Sequence, residues 1–243
     1  MNPKEPFFYI TKKWYTGSAP AFYNNSEFPL TKLLEDNASI IIEEITHFYQ
    51  TKPEQLTTNF VPYNVDVKGW DTMVLYSSGI LNKHFLPFLP KTWALIKDYP
   101  GLSLAMVSVL KPGVRLKAHF GDTDAMVRNH LGVVIPEPYP KVGMRIKAEE
   151  RAWEVGKVLS FCVVNRHYAW NYSDKPRLIL MVDFIKPEFL HRKKEIEGKI
   201  LAAEGMKLFA TKFPITKKLP RWVTMFLLNV LGVVANWYVK FFK

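Results

Sequence analysis

The chain has 243 residues, 48% of them hydrophobic and 14% aromatic, which is too apolar for a disordered polymer and long enough to bury a full core. Its single cysteine, Cys162, excludes a disulfide framework and any cysteine-rich zinc or iron–sulfur site. The net charge of +11 is uneven: residues 191–243 carry 11 Lys/Arg against 3 Asp/Glu, so the main body is almost neutral and basicity of the nucleic-acid-binding kind is a poor reading.

The first 15 residues hold only the short apolar run Phe7-Phe8-Tyr9-Ile10. A secretory signal needs a longer one, so a cytoplasmic protein is expected. Residues 31–50 read as one helix, with Leu33, Leu34, Ile41, Ile42 and Ile45 on an imperfect apolar stripe. A loop-rich stretch follows, punctuated by Pro53, Pro62, Gly69 and Gly79, and residues 91–98 form a short helix closed by Pro100-Gly101. From Leu102 the texture changes. LSLAMVSVL, VRLKAHF, MVRNHLGVVI, GMRIKA, KVLSFCVV and RLILMVDFI are short, rich in branched and aromatic residues, and separated by Pro/Gly turns. Strands so spaced predict an antiparallel jelly-roll core over residues 102–188, preceded by a helical part, 1–101. Helical spacing returns at 190–209, with Ile196, Ile200, Leu201 and Leu208 facing one way.

Three histidines, His119, His130 and His167, fall in or beside the predicted strands. Period-2 alternation places Arg128 and His130 on one face of their strand, and a buried cation there needs an anionic partner. Arg177 opens an apolar strand, the position of a bidentate carboxylate clamp; the alternative is a pair with Asp174 or another surface acid. Glycine-rich phosphate loops, GxSxG turns and HExxH are absent from the sequence. Cys162, inside SFCVV, reads as a buried structural residue. A barrel with two or three histidines, no cysteine ligand and an inward arginine fits a non-haem iron oxygenase best, where open iron positions receive a keto acid and oxygen.

The segments KPGVRLKAHFGDTDAMVRNHLGVVIPEP, WEVGKVLSF, NRHYAW and RLILMVDFIKPE resemble the aspartyl/asparaginyl β-hydroxylase family over about residues 70–190. The resemblance implies a double-stranded β-helix and an Fe(II)- and 2-oxoglutarate-dependent dioxygenase using O2, occupying residues 1–190. It makes His119 and His167 the iron ligands, gives Arg177 the distal carboxylate of 2-oxoglutarate, gives Ser108, Arg128 and His130 the remaining polar contacts, and puts Trp70 at the pocket wall. Core packing for Trp70 and a backbone-bonded strand role for Ser108 are the alternatives. Gly121 stands where most related oxygenases have a third, carboxylate ligand, and this matches the peptidyl hydroxylase branch. Asp122, one residue on, should point the other way on an extended strand.

The implied reaction is hydroxylation of a peptidyl Asp/Asn side chain. The alternatives are an acyl chain of a membrane lipid and a catalytically silent, membrane-associated cupin-like binding protein. The basic tail, 191–243, contains 18 uncharged residues from Trp222 to Val239, about 27 Å of helix against a hydrocarbon core of about 30 Å. Trp222, Trp237 and Tyr238 lie at its ends, flanked by Lys217, Lys218, Arg221, Lys240 and Lys243, while Asn229, Gly232 and Asn236 share one stripe. A helix lying in a membrane surface is the expectation, ahead of a full span or packing on the core, with the basic helix before it against anionic headgroups. A nucleic-acid partner is not expected.

Overall fold

The computed structural model describes residues 5–11, 15–59 and 69–241; Pro62 and Lys243 lie outside them. In chain order the strands are β1 (Thr57–Thr58), β2 (Trp70–Ser77), β3 (Ile80–Leu81), β4 (Leu102–Leu110), β5 (Val114–Arg115), β6 (Met126–Val134), β7 (Val142–Ile146), β8 (Glu149–Arg151), β9 (Val158–Phe161), β10 (His167–Asn171) and β11 (Arg177–Ile185). They form two antiparallel sheets. One runs β1-β2-β4-β11-β6-β9 with β3 on β2, the other β5-β10-β7-β8. The fold is a double-stranded β-helix of the jelly-roll, cupin-like kind, mainly β with flanking helices.

Strand β11 explains the layering. All nine of its residues are buried, so it reads as an unbroken apolar run, as a strand covered on both faces must. Leu178, Leu180, Val182 and Phe184 face one core, which also takes Leu30, Leu34, Ile41, Ile45, Phe48 and Ile96. Those residues come from the helices α1 (Pro29–Asp36), α2 (Ala38–Thr51) and α3 (Pro90–Ile96). Ile179, Met181 and Ile185 face the other core, together with Met144 and Ile146 of the smaller sheet. Arg177 and Asp183 share the period of Ile179 and Met181, so the sheet alternation carries two charged residues into the space between the sheets.

Several expectations need correction. Residues 31–50 are two helices: Asn37 leaves the helical region at φ −110° and ψ 16°, and its side-chain amide donates to Leu33 O at 2.9 Å. The β structure begins at Thr57 rather than at 102, because Trp70–Ser77 pairs with β4 along its length. VRLKAHF is strand only at Val114–Arg115 and otherwise irregular, touching down at His119. The stripe read from Ile196 to Leu208 is only in part the buried face of α4 (Lys193–Lys212): Ile196 is buried and Ile200 and Leu201 are half-buried. Leu208 is exposed, whereas Ile196, Gly198, Ala202, Ala203 and Ala210 are buried, because small residues admit a close neighbour. That neighbour is α5 (Arg221–Phe241): Gly198 meets Gly232 and Asn236.

Candidate active site

His119 and His167 are 48 positions apart, yet the backbone sets them face to face. His119 N–H donates to His167 O and His167 N–H donates to His119 O, each at 2.9 Å. Such a hydrogen-bonded antiparallel pair projects both side chains to one side, and the ring centroids lie 4.3 Å apart. Each ring is oriented by a carbonyl: His119 Nδ1 meets Lys117 O at 2.9 Å and His167 Nδ1 meets Asn165 O at 2.8 Å. With Nδ1–H donating, the tautomer leaves Nε2 as a lone pair on both rings, the arrangement that metal-binding histidines use. Burial holds both pKa values below the usual imidazole range, for His167 with a further push from His119. Both rings are therefore neutral at pH 7 and available to a cation.

Beyond the pair lies a narrow cavity lined by Trp70, Ser108, His130, Trp153, His167 and Arg177, among others. Arg177 is only 2% exposed, which removes the alternative of a surface pair with Asp174. Among the described residues its Nε and Nη1 have no hydrogen-bond partner, and neither do both ring nitrogens of His130 and the indole nitrogen of Trp153. Burial alone draws the Arg177 pKa down to about 9, so the group stays cationic at neutral pH. Its charge is met by a π face: the guanidinium carbon is 4.7 Å from the Trp153 ring centroid. Unsatisfied buried donors are costly, and this cluster is what a carboxylate ligand would satisfy. The open space is about 30 Å³, room for roughly one water, so a larger anion must part the surrounding side chains.

The other expected residues, Trp70, Ser108, Arg128 and His130, line the same cavity. Trp70 Nε1 donates to Ser108 Oγ at 2.9 Å, which leaves the serine proton free to point inward. Arg128 meets an internal partner: Nε and Nη2 donate to the two oxygens of Asp183 at 2.8 and 2.6 Å. The anion that its buried position requires is thus supplied by β11, whereas Arg177 makes no ion pair among the described residues. A wider vestibule, about 300 Å³, continues outward over His119, Arg128 and Trp70 to Ile200, Glu204 and Lys207 on α4. Asp122 lines it but is bound to Lys207.

Gly121 has no room for a side chain. A Cβ there would fall 2.5 Å from both Cβ and Cγ2 of Val163, and Gly121 N–H donates to Val163 O at 2.7 Å. No carboxylate side chain fits at residue 121 unless Val163 moves. Gly121→Ala should destabilise the protein by about 1–3 kcal/mol, as overpacking does, read as a lowered thermal midpoint. An unchanged midpoint would mean that Val163 yields freely.

Trp153 lies in the WEVGKVLSF segment, but only the fold shows that its indole reaches the cavity. Nothing local to Lys207 or Glu204 pointed to the vestibule, because only the packing of α4 brings them there.

A double-stranded β-helix that sets two neutral histidines face to face beside a buried arginine is a cupin-like fold with a polar cavity between its sheets. The chain belongs to the aspartyl/asparaginyl β-hydroxylase family, whose profile matches residues 35–187. It is 34% identical over 174 residues to an ornithine lipid ester-linked acyl 2-hydroxylase of Rhizobium tropici, covering 69% of this chain and 61% of that protein. It is 30% identical over 169 residues to the aspartyl/asparaginyl β-hydroxylase of Mus musculus, covering 67% of this chain and 21% of that one. The match thus spans about three fifths of the rhizobial protein and one fifth of the mouse protein. Among solved structures, a Pseudomonas putida prolyl-4-hydroxylase aligns with 63% of this chain and 97% of its own at 15% identity and a TM-score of 0.41.

Proposed function

We propose that this protein is an Fe(II)- and 2-oxoglutarate-dependent dioxygenase that hydroxylates an acyl chain of a membrane lipid. The observation that carries the reading is the set of buried, unpartnered donors on Arg177, His130 and Trp153, next to two histidines whose Nε2 atoms are left free. Those residues fit the cosubstrate by chemistry: a dianion is held by charge-assisted bonds from Arg177 and by neutral donors around it. When bound, iron and 2-oxoglutarate together activate O2, placing one oxygen atom in the substrate C–H bond and the other in succinate, with release of CO2. His119 and His167 hold the metal as neutral ligands, fixed by the carbonyls of Lys117 and Asn165. Arg177 binds the distal carboxylate, and the Ser108 hydroxyl, oriented by Trp70, is placed to donate to it. Leu116, Met144, Ile179 and Met181 line the same cavity and exclude bulk water from it. The vestibule receives the substrate.

The lipid is chosen on two grounds. Identity is higher to the relative named as an acyl hydroxylase, and the C-terminal helix presents an apolar outer face. A peptidyl Asp/Asn substrate is the second reading, favoured by the carboxylate-free form of the site at Gly121. Incubating the protein with Fe(II), ascorbate and 2-oxoglutarate, together with either total membrane lipid or Asp/Asn-containing peptides, separates them. Mass spectrometry should find acyl chains heavier by one oxygen, with matching succinate. Oxygen gained only by peptides would reverse the choice, and no succinate with any substrate would leave the silent binding protein.

A further inference from the structure

Helix α5 is packed inside out for a soluble protein. Its buried residues are Thr224, Leu228, Gly232 and Val239, and Gly232 and Asn236 lie against Gly198 of α4. The small and polar stripe seen in the sequence therefore turns inward in part, with only Asn229 left outside. On the outer side Trp222, Phe226, Val230, Val233, Trp237 and Phe241 follow one another at steps of three or four residues, one continuous stripe. Trp222, Phe226, Val233 and Trp237 are each between 62% and 73% exposed. Contiguous apolar surface of this extent marks a contact site.

We infer that the outer face of α5 is a docking surface for an anionic lipid bilayer, with the helix lying in the plane of the interface. Charge names the partner. The cations Lys212, Lys217, Lys218 and Arg221 come just before the stripe and Lys240 closes it, within a tail of 11 Lys/Arg against 3 Asp/Glu. Paired basic ends with tryptophan at the first and last turns match headgroups above an acyl boundary. A protein partner burying this face would have to match the same line of positive charge.

The in-plane orientation follows from α4. At 21 residues, α5 is long and apolar enough to cross a bilayer. Yet it runs antiparallel along α4: Gly198 meets Gly232 and Asn236, while Gly205, Met206, Phe209 and Ala210 line one groove with Thr224, Leu227 and Leu231. Helix α4 carries Lys193, Glu195, Glu197, Lys199, Glu204 and Lys207, whose charges could not follow α5 into hydrocarbon. Lying flat keeps the helix pair intact. It also brings exposed Leu208 and Phe209 toward the lipid, next in sequence to Lys207 of the vestibule. The docking surface does not depend on the catalytic reading, and its test uses no turnover.

The test is co-sedimentation of the full chain with vesicles of phosphatidylcholine alone and of phosphatidylcholine with about one third phosphatidylglycerol, whose negative surface attracts basic segments. Binding is expected to the anionic vesicles, only partly reversed at high salt because apolar contact is not screened. The double variant Phe226→Asp and Val233→Asp changes only exposed side chains and should bind at least about tenfold less with an unaltered thermal midpoint. External trypsin should cut at both Arg221 and Lys240 in sealed, protein-loaded vesicles. Equal binding by the double variant, or shielding of Lys240, would overturn the proposal. So would a wild-type dimer that ignores vesicles and becomes monomeric in the variant, since the face would then be a subunit interface. Should the double variant unfold, Phe226→Ser alone, read by the same sedimentation, decides the matter.

Discussion

Replacing His167 with Ala is expected to abolish Fe(II)-dependent turnover of 2-oxoglutarate, and His119→Ala should do the same. On the proposed reading each ring supplies one metal-binding nitrogen, and the two rings are positioned by one reciprocal pair of backbone bonds. Iron affinity should fall by more than the roughly 10–100-fold typical of losing a supporting partner. The fold should survive, because those backbone bonds do not involve the imidazoles. Asp122→Ala is the control. Its carboxylate is bound to Lys207, so iron binding should be nearly unchanged. Iron loss in Asp122→Ala comparable with that in His167→Ala, measured by metal content after desalting, would show that the ligand set is wrong.

The second large effect falls on Arg177, and it has two opposite signs. Among the described residues the buried guanidinium meets no carboxylate and lies against the Trp153 ring in a cation–π contact. Replacing it with Met, of similar length and apolar, should stabilise the apo protein by about 1–4 kcal/mol, the range seen when buried charges give way to packed apolar groups. The same change removes the partner of the cosubstrate carboxylate, at about 2–5 kcal/mol. The KM for 2-oxoglutarate should then rise by roughly 30-fold to several thousandfold. Thermal unfolding and steady-state kinetics together check both. A variant that is less stable and keeps its KM would make Arg177 an ordinary structural residue.

How far the sequence carries can be judged strand by strand. LSLAMVSVL and RLILMVDFI match β4 and β11 residue for residue, because strands buried on both faces are written as uninterrupted apolar runs. Trp70–Ser77 carries no clear strand signal: its burial is interrupted at Asp71, Val74, Tyr76 and Ser77, and Gly69 and Gly79 on either side read as loop. The three histidines and Arg177 stand out in the sequence by their places in or beside apolar strands, and the family's ordered motifs are what pair His119 with His167. No local pattern states that residue 119 will lie opposite residue 167. Arg128 shows the limit most clearly. Its need for an anion could be read from its strand face, but that the anion is Asp183, on a neighbouring strand, is a fact of register. The inward turn of the small residues on α5 was likewise undecidable until α4 was seen to expose Leu208 and bury Gly198.

The central claim is that one cavity holds the metal through His119 and His167 and the cosubstrate through Arg177. Anaerobic titration calorimetry of the Fe(II)-loaded protein with 2-oxoglutarate tests it most directly. One molecule should bind per chain, with binding lost in Arg177→Met and strongly weakened when iron is withheld. Binding that is indifferent to both iron and Arg177, or no binding to the loaded wild type, would contradict the account.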